Sequence, residues 1–483
     1  MDPMAVLTTA NVASLSLSGM PHPTGWRPLP WVRVEGTNLV DESGNLVALR
    51  GVNFGCWLML EGWICNLFPQ FVGYLAEMAE AEGIKPELSQ ALKEVGDFDD
   101  DVMTRADYRE MALAALSKRL PGDKVQTFRA RLDATPDIPD EHTLWEVMEK
   151  RFGAGGMNRL RNTYRANWIT ELDLANARAL GLNFIRLPFW YRLLEDDGRP
   201  NRYRPGGWEI LDRFISLCRG YGIYVMLDLH GAQGSQSPWD HTGRVEQAKL
   251  WTESANQARA VALWRALAER YRDEPTVVAY DLMNEPFSAP TLDDLAGLYD
   301  RMYKAIREVD ERHIIVMEDG YTYEGNMPDP KRYGWRNVMY SNHFYETAHA
   351  LAGHQAHADR IAATGVEWAR RWGVPIYFGE FSMMNVLPFG MEALSYYLRK
   401  FNEAGLHWSP WTFKKVDLPN DRSTWGVYEY PGEWTRPDLH RDSFEDLLAT
   451  FESLHSRNFR ANEEYAAVLR ARGADPVVPL PAD

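Results

Sequence analysis

Eight short apolar runs alternate with helical patterns along this chain, and this alternation limits the possible folds more than any other feature. The predicted strands are Ala48–Phe54, Asn183–Phe189, Tyr224–His230, Val277–Asn284, His313–Glu318, Val338–His343, Pro375–Glu380 and Leu406–Phe413. Buried strands joined by helical crossovers predict an α/β protein of the (β/α)8 or TIM-barrel type. In that fold, reactive side chains gather at the carboxyl ends of the strands.

One long connection interrupts the alternation. Residues 66–168 separate the first two predicted strands, which far exceeds a usual loop. We therefore expect a helical insertion at about 66–140 that packs as a unit around the apolar members Leu75, Met78, Leu92, Met111 and Leu113. The expected organisation is an N-terminal extension (1–32), a barrel domain (33–473) carrying this insertion, and a tail (474–483). A hairpin at 33–49 should cover the barrel bottom.

Charge and composition exclude several classes of protein. The 483 residues include 52 Lys and Arg against 68 Asp and Glu, a net charge of −16, which argues against a nucleic-acid partner and for solubility. No apolar run reaches about 18 residues, so no membrane span is predicted. No signal peptide is legible, so the protein is secreted or periplasmic if one was removed and cytoplasmic otherwise. The oligomeric state stays open.

Cofactors are not indicated by any pattern of ligand residues. The three cysteines (Cys56, Cys65 and Cys218) do not form a disulfide framework. A pairing of Cys56 with Cys65 is the alternative to the free thiols that we expect. The chain has neither a CxxC nor an HExxH pattern. The sequence therefore implies no metal and no other cofactor.

Two of the predicted strands end in a glutamate. Asn284-Glu285-Pro286 closes the fourth strand, and Gly379-Glu380-Phe381 closes the seventh. Glycosidic bond cleavage needs two carboxyl groups, one to protonate the leaving oxygen and one to attack the anomeric carbon or activate water. The pair therefore predicts a glycosidase site.

Five segments carry a family resemblance. They are Arg50–Glu61 (RGVNFGCWLMLE), Asp228–Gln236 (DLHGAQGSQ), Asp240, Ser341–Tyr345 (SNHFY) and Trp408–Lys414 (WSPWTFK). In this order they resemble glycoside hydrolase family 5 of clan A, nearest to its exo-β-1,3-glucanase and β-glucosidase type. Apart from the insertion, the resemblance covers most of residues 33–414. Gln233, Cys56 and His241 depart from the family pattern, and the insertion is not typical of it.

The resemblance implies roles at the two carboxylates. Glu285 would be the general acid/base and Glu380 the nucleophile of a retaining reaction. Asn284 would hydrogen-bond the sugar 2-hydroxyl. Arg186 would hold the nucleophile and keep it charged, and Tyr345 would donate to it as well.

Other predicted binding residues would surround the sugar. His230 and His343 should be neutral donors to sugar hydroxyls or to the acid/base. Trp411 is predicted to be a platform for the terminal sugar, and Trp239 a wall for the next one. The resemblance implies that Glu61 and Asp240 bind the hydroxyls of a non-reducing-end glucose. Polar groups that close one end of a cleft make a pocket and favour exo action.

The predicted function is a retaining hydrolase that cleaves β-glucosides or β-1,3-glucan oligosaccharides from the non-reducing end. One alternative is an endo-β-1,4-glucanase or mannanase with an open cleft. The other is a barrel that binds glycan without cleaving it, although a binder has no need for both glutamates.

Overall fold

The chain enters the fold through a small antiparallel sheet. The structure, a computed structural model, describes residues 29–99, 102–319, 326–383, 389–417 and 425–481, so most of the predicted N-terminal extension lies outside the described residues. Strands β1 (Val32–Glu35), β2 (Asn38–Asp41) and β3 (Leu46–Val47) pair in that order. Val32 and Leu39 pack with Phe184 and Tyr224, which begin two barrel strands. The sheet thus covers the bottom of the barrel, as the hairpin prediction required.

Eight parallel strands form the barrel that the sequence predicts. They are β4 (Gly51–Asn53), β5 (Phe184–Trp190), β6 (Tyr224–Gly231), β7 (Val277–Asp281), β8 (Ile314–Glu318), β9 (Val338–Glu346), β10 (Ile376–Met383) and β11 (His407–Trp408). They pair in sequence order, and a parallel bridge between Arg50 and Trp408 closes the ring. All seven residues of β5 are buried, as expected of a strand with helices outside and packed side chains within.

The two strands at the closure are shorter than predicted. The last predicted strand reached Phe413, but β11 ends at Trp408. Pro410 has no backbone N–H to continue the ladder. Two isolated backbone hydrogen bonds replace the ladder beyond Trp408. Asn53 N–H donates to Pro410 O at 3.3 Å, and Phe413 N–H donates to Asn53 O at 3.0 Å.

Helices α1 to α6 occupy the long connection between β4 and β5. They are α1 (Gly62–Cys65), α2 (Phe71–Ala81), α3 (Lys85–Val95), α4 (Arg105–Leu116), α5 (Gly122–Ala134) and α6 (Glu141–Trp168), the last kinked at Gly153. Helices α2 to α5 enclose an apolar core of their own that includes Leu75 and Leu113, with Met78 and Leu92 packed against it. Helix α6 packs into the barrel core instead.

The prediction that Met111 belongs to the apolar core of the insertion is wrong. Met111 is 43% exposed, because α4 turns its Tyr108, Ala112 and Leu116 face inward. A helical repeat places residues on faces, but it does not by itself say which face meets the neighbouring helices.

The remaining helices surround the barrel or follow it. They are α7 (Glu171–Ala179), α8 (Pro205–Tyr221), α9 (Lys249–Thr252), α10 (Ser254–Tyr271), α11 (Leu292–Arg307), α12 (Pro330–Tyr333), α13 (Leu351–Trp372), α14 (Gly390–Glu403), α15 (Phe444–Ser453) and α16 (Glu463–Gly473). Thr170 and Asp173 form the capping box that starts α7. A second small sheet joins β12 (Lys414–Lys415), β13 (Tyr428–Glu429) and β14 (Arg460–Ala461). Within the described residues, no helix is both long and apolar enough to cross a membrane.

Candidate active site

The carboxyl ends of the barrel strands bring most of the predicted site residues into one buried cluster. Its members are Arg186 on β5, His230 on β6, Asn284 and Glu285 after β7, His343 and Tyr345 on β9, Glu380 on β10 and Trp411 after β11. Parallel strands all end on the same rim, so residues far apart in sequence become neighbours there.

Glu380 is held by a cation and a hydroxyl. Arg186 Nη1 donates to its Oε1 at 2.5 Å, and Tyr345 OH donates to its Oε2 at 2.8 Å. The residue is only 4% exposed. Both carboxyl oxygens are thus held in place, which suits a nucleophile that must point at one carbon.

Arg186 organises the floor of the cluster. Its Nε donates to Asp281 Oδ2 at 2.8 Å, its Nη2 lies 3.1 Å from Asp228 Oδ2, and Nη2 also donates to Asn284 Oδ1 at 2.8 Å. Burial raises the pKa of Asp228 and of Asp281 to about 7, against the opposing effect of the Arg186 charge. One cation thus fixes three carboxyl groups and the amide beside Glu285.

Glu285 lies in a different environment. His343 Nδ1 lies 2.9 Å from its Oε1, and His241 Nε2 lies 3.7 Å from its Oε2. Its backbone N–H donates to Glu318 Oε2 at 2.9 Å, and its φ of 44° is in the left-handed region. Neutral rings and a second acid therefore surround Glu285, whereas a guanidinium holds Glu380.

His343 also sets the spacing of the two glutamates. Its Nδ1 lies 2.9 Å from Glu285 Oε1 and 3.9 Å from Glu380 Oε2. Those two oxygens are therefore separated by at most about 7 Å, which includes the 5–5.5 Å of retaining glycosidases and lies below most of the inverting range.

Asn284 has one end fixed and one end free of hydrogen bonds among the described residues. Its Oδ1 is tied to Arg186, and its buried Nδ2 has no hydrogen-bond partner in the described part of the chain. A buried amide donor without a partner is costly unless a ligand supplies one. This arrangement suits the predicted contact to a sugar hydroxyl.

His230 and Trp411 form a stacked pair. Their rings are 5.5 Å apart and nearly parallel, at 8°. His230 Nδ1 lies 2.7 Å from Asp228 Oδ2, and burial lowers the pKa of His230 to about 3, so its ring is neutral. One face of Trp411 is therefore covered by His230, and the residue is 2% exposed, so its role as a sugar platform stays a prediction.

Glu61 reaches the same cluster from the start of the insertion. Its Oε1 lies 4.0 Å from His230 Nε2, and its Oε2 accepts a hydrogen bond from Trp63 Nε1 at 2.9 Å. Burial, followed by the negative charge of Asp240, raises the pKa of the Glu61 carboxyl. Glu61 and Asp240 are thus close enough to interact, as their predicted shared role requires.

An aromatic group stands beside Glu285. The Trp239 ring lies 5.0 Å from Phe287 and 5.9 Å from His241. His241 Nε2 lies 3.3 Å from Ser237 Oγ and 3.7 Å from Glu285 Oε2. Trp239 is the residue that the sequence predicts as a wall for the second sugar. The sequence gives His241 no role, since it marks His241 only as a departure from the family pattern.

The sequence also missed residues on the opposite side. Trp425 lies 5.5 Å from the ring of Tyr345 and 5.1 Å from that of Trp63, which extends an aromatic wall past Glu380. Nothing local in the chain around Trp63 or Trp425 marks either residue, whereas Glu318 ends a predicted strand and could have been found by that rule.

Among the described residues, Glu285, Glu318 and His343 come nearest to a metal-binding group, with one donor atom of each within 4.8 Å of the others. Hydrogen bonding accounts for this arrangement: His343 approaches Glu285, and Glu318 accepts from the Glu285 backbone. The donor set is one that acid/base chemistry itself uses.

Comparisons with known proteins find related sequences. Residues 148–417 match the family model described as cellulase (glycosyl hydrolase family 5). A beta-xylosidase of Phanerodontia chrysosporium is 28% identical over 414 residues, covering 80% of this chain and 71% of the relative. A glucan 1,3-beta-glucosidase of Blumeria graminis is 32% identical over 216 residues, covering 44% of this chain and 49% of the relative. The chain thus spans about half the length of that relative.

A solved structure shares the fold. The crystal structure of an endogalactoceramidase superposes with a TM-score of 0.50 at 18% identity, covering 80% of this chain and 76% of that one. At this identity the likeness concerns the barrel and not its substrate.

Proposed function

The chain belongs to glycoside hydrolase family 5, and from this premise we propose that it is a retaining β-glycosidase in which Glu380 is the nucleophile and Glu285 the acid/base. The observation that carries the proposal is the contrast between the two glutamates. A guanidinium and a hydroxyl hold the two oxygens of Glu380 in place, while Glu285 lies within about 7 Å of it among neutral rings that allow it to hold a proton.

In the first step, Glu380 attacks the anomeric carbon as the bond to the aglycone breaks. Glu285 gives its proton to the departing oxygen, so the aglycone leaves as an alcohol and the sugar becomes a glycosyl ester of Glu380. Tyr345 OH donates a hydrogen bond to Glu380 Oε2. As Glu380 forms the ester and loses its charge, this hydroxyl can donate to the ring oxygen of the sugar instead. Asn284 Nδ2 is placed to bond the 2-hydroxyl in the transition state.

In the second step, water replaces the aglycone. Glu285, now a carboxylate, takes a proton from the water as it attacks the anomeric carbon, and Glu380 leaves with its electron pair. Arg186 then stabilises the restored carboxylate. Two inversions at one carbon return the original β configuration.

We further propose a pocket for a terminal sugar and therefore exo action on β-glucosides or short β-1,3-glucan oligosaccharides. Glu61 supports this, because it interacts electrostatically with Asp240, the residue that follows Trp239 in the loop after β6. A β-xyloside is the second candidate substrate, because the relative that aligns over 80% of this chain is named a beta-xylosidase.

The test is a panel of aryl β-glucoside, aryl β-xyloside, cellobioside and laminarioligosaccharides. We expect hydrolysis of at least one aryl glycoside, a β-anomer as the first product by proton NMR, and single terminal sugars released from oligosaccharides. Inverted product would refute the retaining mechanism. Internal cleavage of the oligosaccharides would refute the exo pocket and favour the endo alternative.

A further inference from the structure

The carboxyl group of Glu61 has one oxygen bonded and one oxygen aimed at the cluster. Its Oε2 accepts from Trp63 Nε1 at 2.9 Å. Its Oε1 is buried, lies 4.0 Å from His230 Nε2, and has no hydrogen-bond partner in the described part of the chain. A buried acceptor of this kind is costly unless a ligand supplies the donor. The exact position of Oε1 therefore matters for any sugar hydroxyl that is to reach it.

The thiol of Cys56, which takes no part in the steps above, holds the backbone of Glu61 from both sides. Its Sγ donates to Glu61 O at 3.1 Å and accepts from Glu61 N–H at 3.3 Å. Cys56 is fully buried, and burial raises the pKa of its thiol, so it keeps the hydrogen that it donates. A thiol is a weak partner in each single bond, but two bonds to one residue limit how far that residue can shift.

Cys56 occupies a backbone position where glycine would fit better. Its φ is 60°, in the left-handed region that residues with a Cβ rarely adopt. What the side chain adds at this position is its sulfur, which contacts Glu61 on one side and Tyr164 on the other. The hydroxyl of Tyr164, from α6, donates to the carbonyl of Cys56 and lies 3.3 Å from its Sγ.

Helix α6 fixes the residue before Glu61 as well. Glu141 is 3% exposed, and its Oε2 accepts from Leu60 N–H at 2.7 Å while its Oε1 accepts from Trp145 Nε1 at 2.8 Å. Cys56 and Glu141 thus bond two consecutive backbone N–H groups, those of Glu61 and Leu60. The backbone that carries the Glu61 side chain is therefore held from within the protein and not by solvent.

We propose that Cys56 is a positioning residue whose thiol fixes the backbone of Glu61, so that Oε1 of Glu61 meets a hydroxyl of the terminal sugar. The inference rests on the proposed function, because it takes Glu61 to bind that sugar. No bond is made or broken at the sulfur, and the thiol acts only as a hydrogen-bond donor and acceptor.

A double-mutant cycle tests whether Cys56 acts through Glu61. Cys56→Ala should lower kcat/KM for an aryl β-glycoside that the wild type hydrolyses by about tenfold, mainly by raising KM, since the contact is already made in the bound substrate. In the Glu61→Ala background the same change should cost less than about twofold. Cys218→Ala, which removes a fully buried thiol from α8, is the control and should match wild type. An equal loss from Cys56→Ala in both backgrounds would overturn the proposal.

Two further variants separate the thiol from its backbone position. Cys56→Ser keeps a donor and an acceptor at the same place, so it should recover most of the lost kcat/KM. Cys56→Gly removes the thiol at a φ that suits glycine, so it should behave like the alanine variant and keeps the test open if that variant does not fold. A glycine variant with the KM of wild type would overturn the proposal.

Crystal structures distinguish failure of this inference from failure of the proposed function. The Glu61 carboxyl of Cys56→Ala should move by about 0.5 Å or more from its wild-type position, a shift large enough to impair a binding site. Such a shift, together with a wild type that cleaves no glycoside, would refute the proposed function and support the positioning role. An active wild type and an unmoved carboxyl in Cys56→Ala would refute the positioning role alone.

Discussion

The strand-tip cluster and the helical insertion use charge in opposite ways. In the cluster, Arg186, Asp228 and Asp281 have fully buried side chains, and Glu380 has 5% of its side chain exposed. In the insertion, several ion pairs face solvent: Arg129 and Glu110 are 43% and 54% exposed, and Lys118 and Glu94 are 65% and 39% exposed. The pair of Arg105 and Asp137, at 14% and 13%, is more buried. The same residue types therefore have different energetic weight in the two regions.

Burial explains why ion pairs matter more in the strand-tip cluster than in the insertion. A buried ion pair that loses one partner leaves an uncompensated charge, which costs about 3–5 kcal/mol. An exposed pair contributes about 0–1 kcal/mol. Helices α2 to α5 are held instead by their own apolar core. We expect single charge changes to be severe for chemistry at the strand tips and slight in the insertion.

The largest expected effect is at Glu380. Glu380→Gln should lower kcat by more than about 10³-fold, because an amide cannot form the glycosyl ester. Glu403→Gln, an exposed carboxylate on α14 with 52% of its side chain exposed, is the control and should match wild type. Unfolding curves should agree for both variants. Activity of Glu380→Gln within about tenfold of wild type would refute the nucleophile assignment.

The next effect is at Glu285. Glu285→Ala should slow hydrolysis of alkyl glycosides by about 10²–10⁴-fold, the usual contribution of general acid–base catalysis. Aryl glycosides with good leaving groups should suffer less, since they need no acid to leave. Azide should then restore turnover and yield a glycosyl azide of retained configuration. If azide does nothing and the pH profile stays that of wild type, Glu285 is not the acid/base.

A smaller effect distinguishes the two regions by pH. Burial lowers the pKa of His230 and His407, both on barrel strands, to about 3, whereas residues 71–134 contain no histidine. Below the ordinary histidine pKa of about 6.5, the unfolded chain binds protons that the native barrel does not, so stability falls with falling pH.

Each such histidine should cost up to about 1.4 kcal/mol per pH unit between about 6.5 and 3. Urea unfolding followed by barrel tryptophans should show this slope, and His407→Gln should reduce it. Hydrogen exchange of α2–α5 amides should change less over the same range. Equal acid sensitivity in both regions would contradict this account.

Sequence patterns predicted the barrel better than they predicted the neighbours of its active residues. Each barrel strand is an apolar run, and Glu285 and Glu380 follow from the rule that strand ends carry reactive groups. Glu318 obeys the same rule, yet its importance depends on the left-handed turn at Glu285, which brings that N–H to it. The prediction that Met111 is buried was wrong, because helical periodicity does not determine which face of a helix is buried.

The smallest expected effect concerns the insertion, where the two regions meet. Arg105 N–H at the start of α4 donates to Glu246 Oε1 at 2.7 Å, in the loop that also carries Trp239 and Asp240. Arg105 also acts on Asp240, whose pKa is raised by burial and lowered by the Arg105 charge. The insertion therefore supports the loop that is proposed to bind the terminal sugar.

Replacing residues 71–134 with a short Gly/Ser linker should remove this support while keeping Leu67 and Phe68, which belong to the barrel core. We expect kcat/KM for small β-glucosides to fall severalfold relative to that for polymeric glucan, because the loop loosens and the entrance widens. Glu246→Ala, which removes only the acceptor for Arg105, should change the ratio in the same direction and by less. If the trimmed protein folds and keeps the wild-type ratio of the two activities, the insertion does not select substrates, and the pocket is set by the strand tips alone.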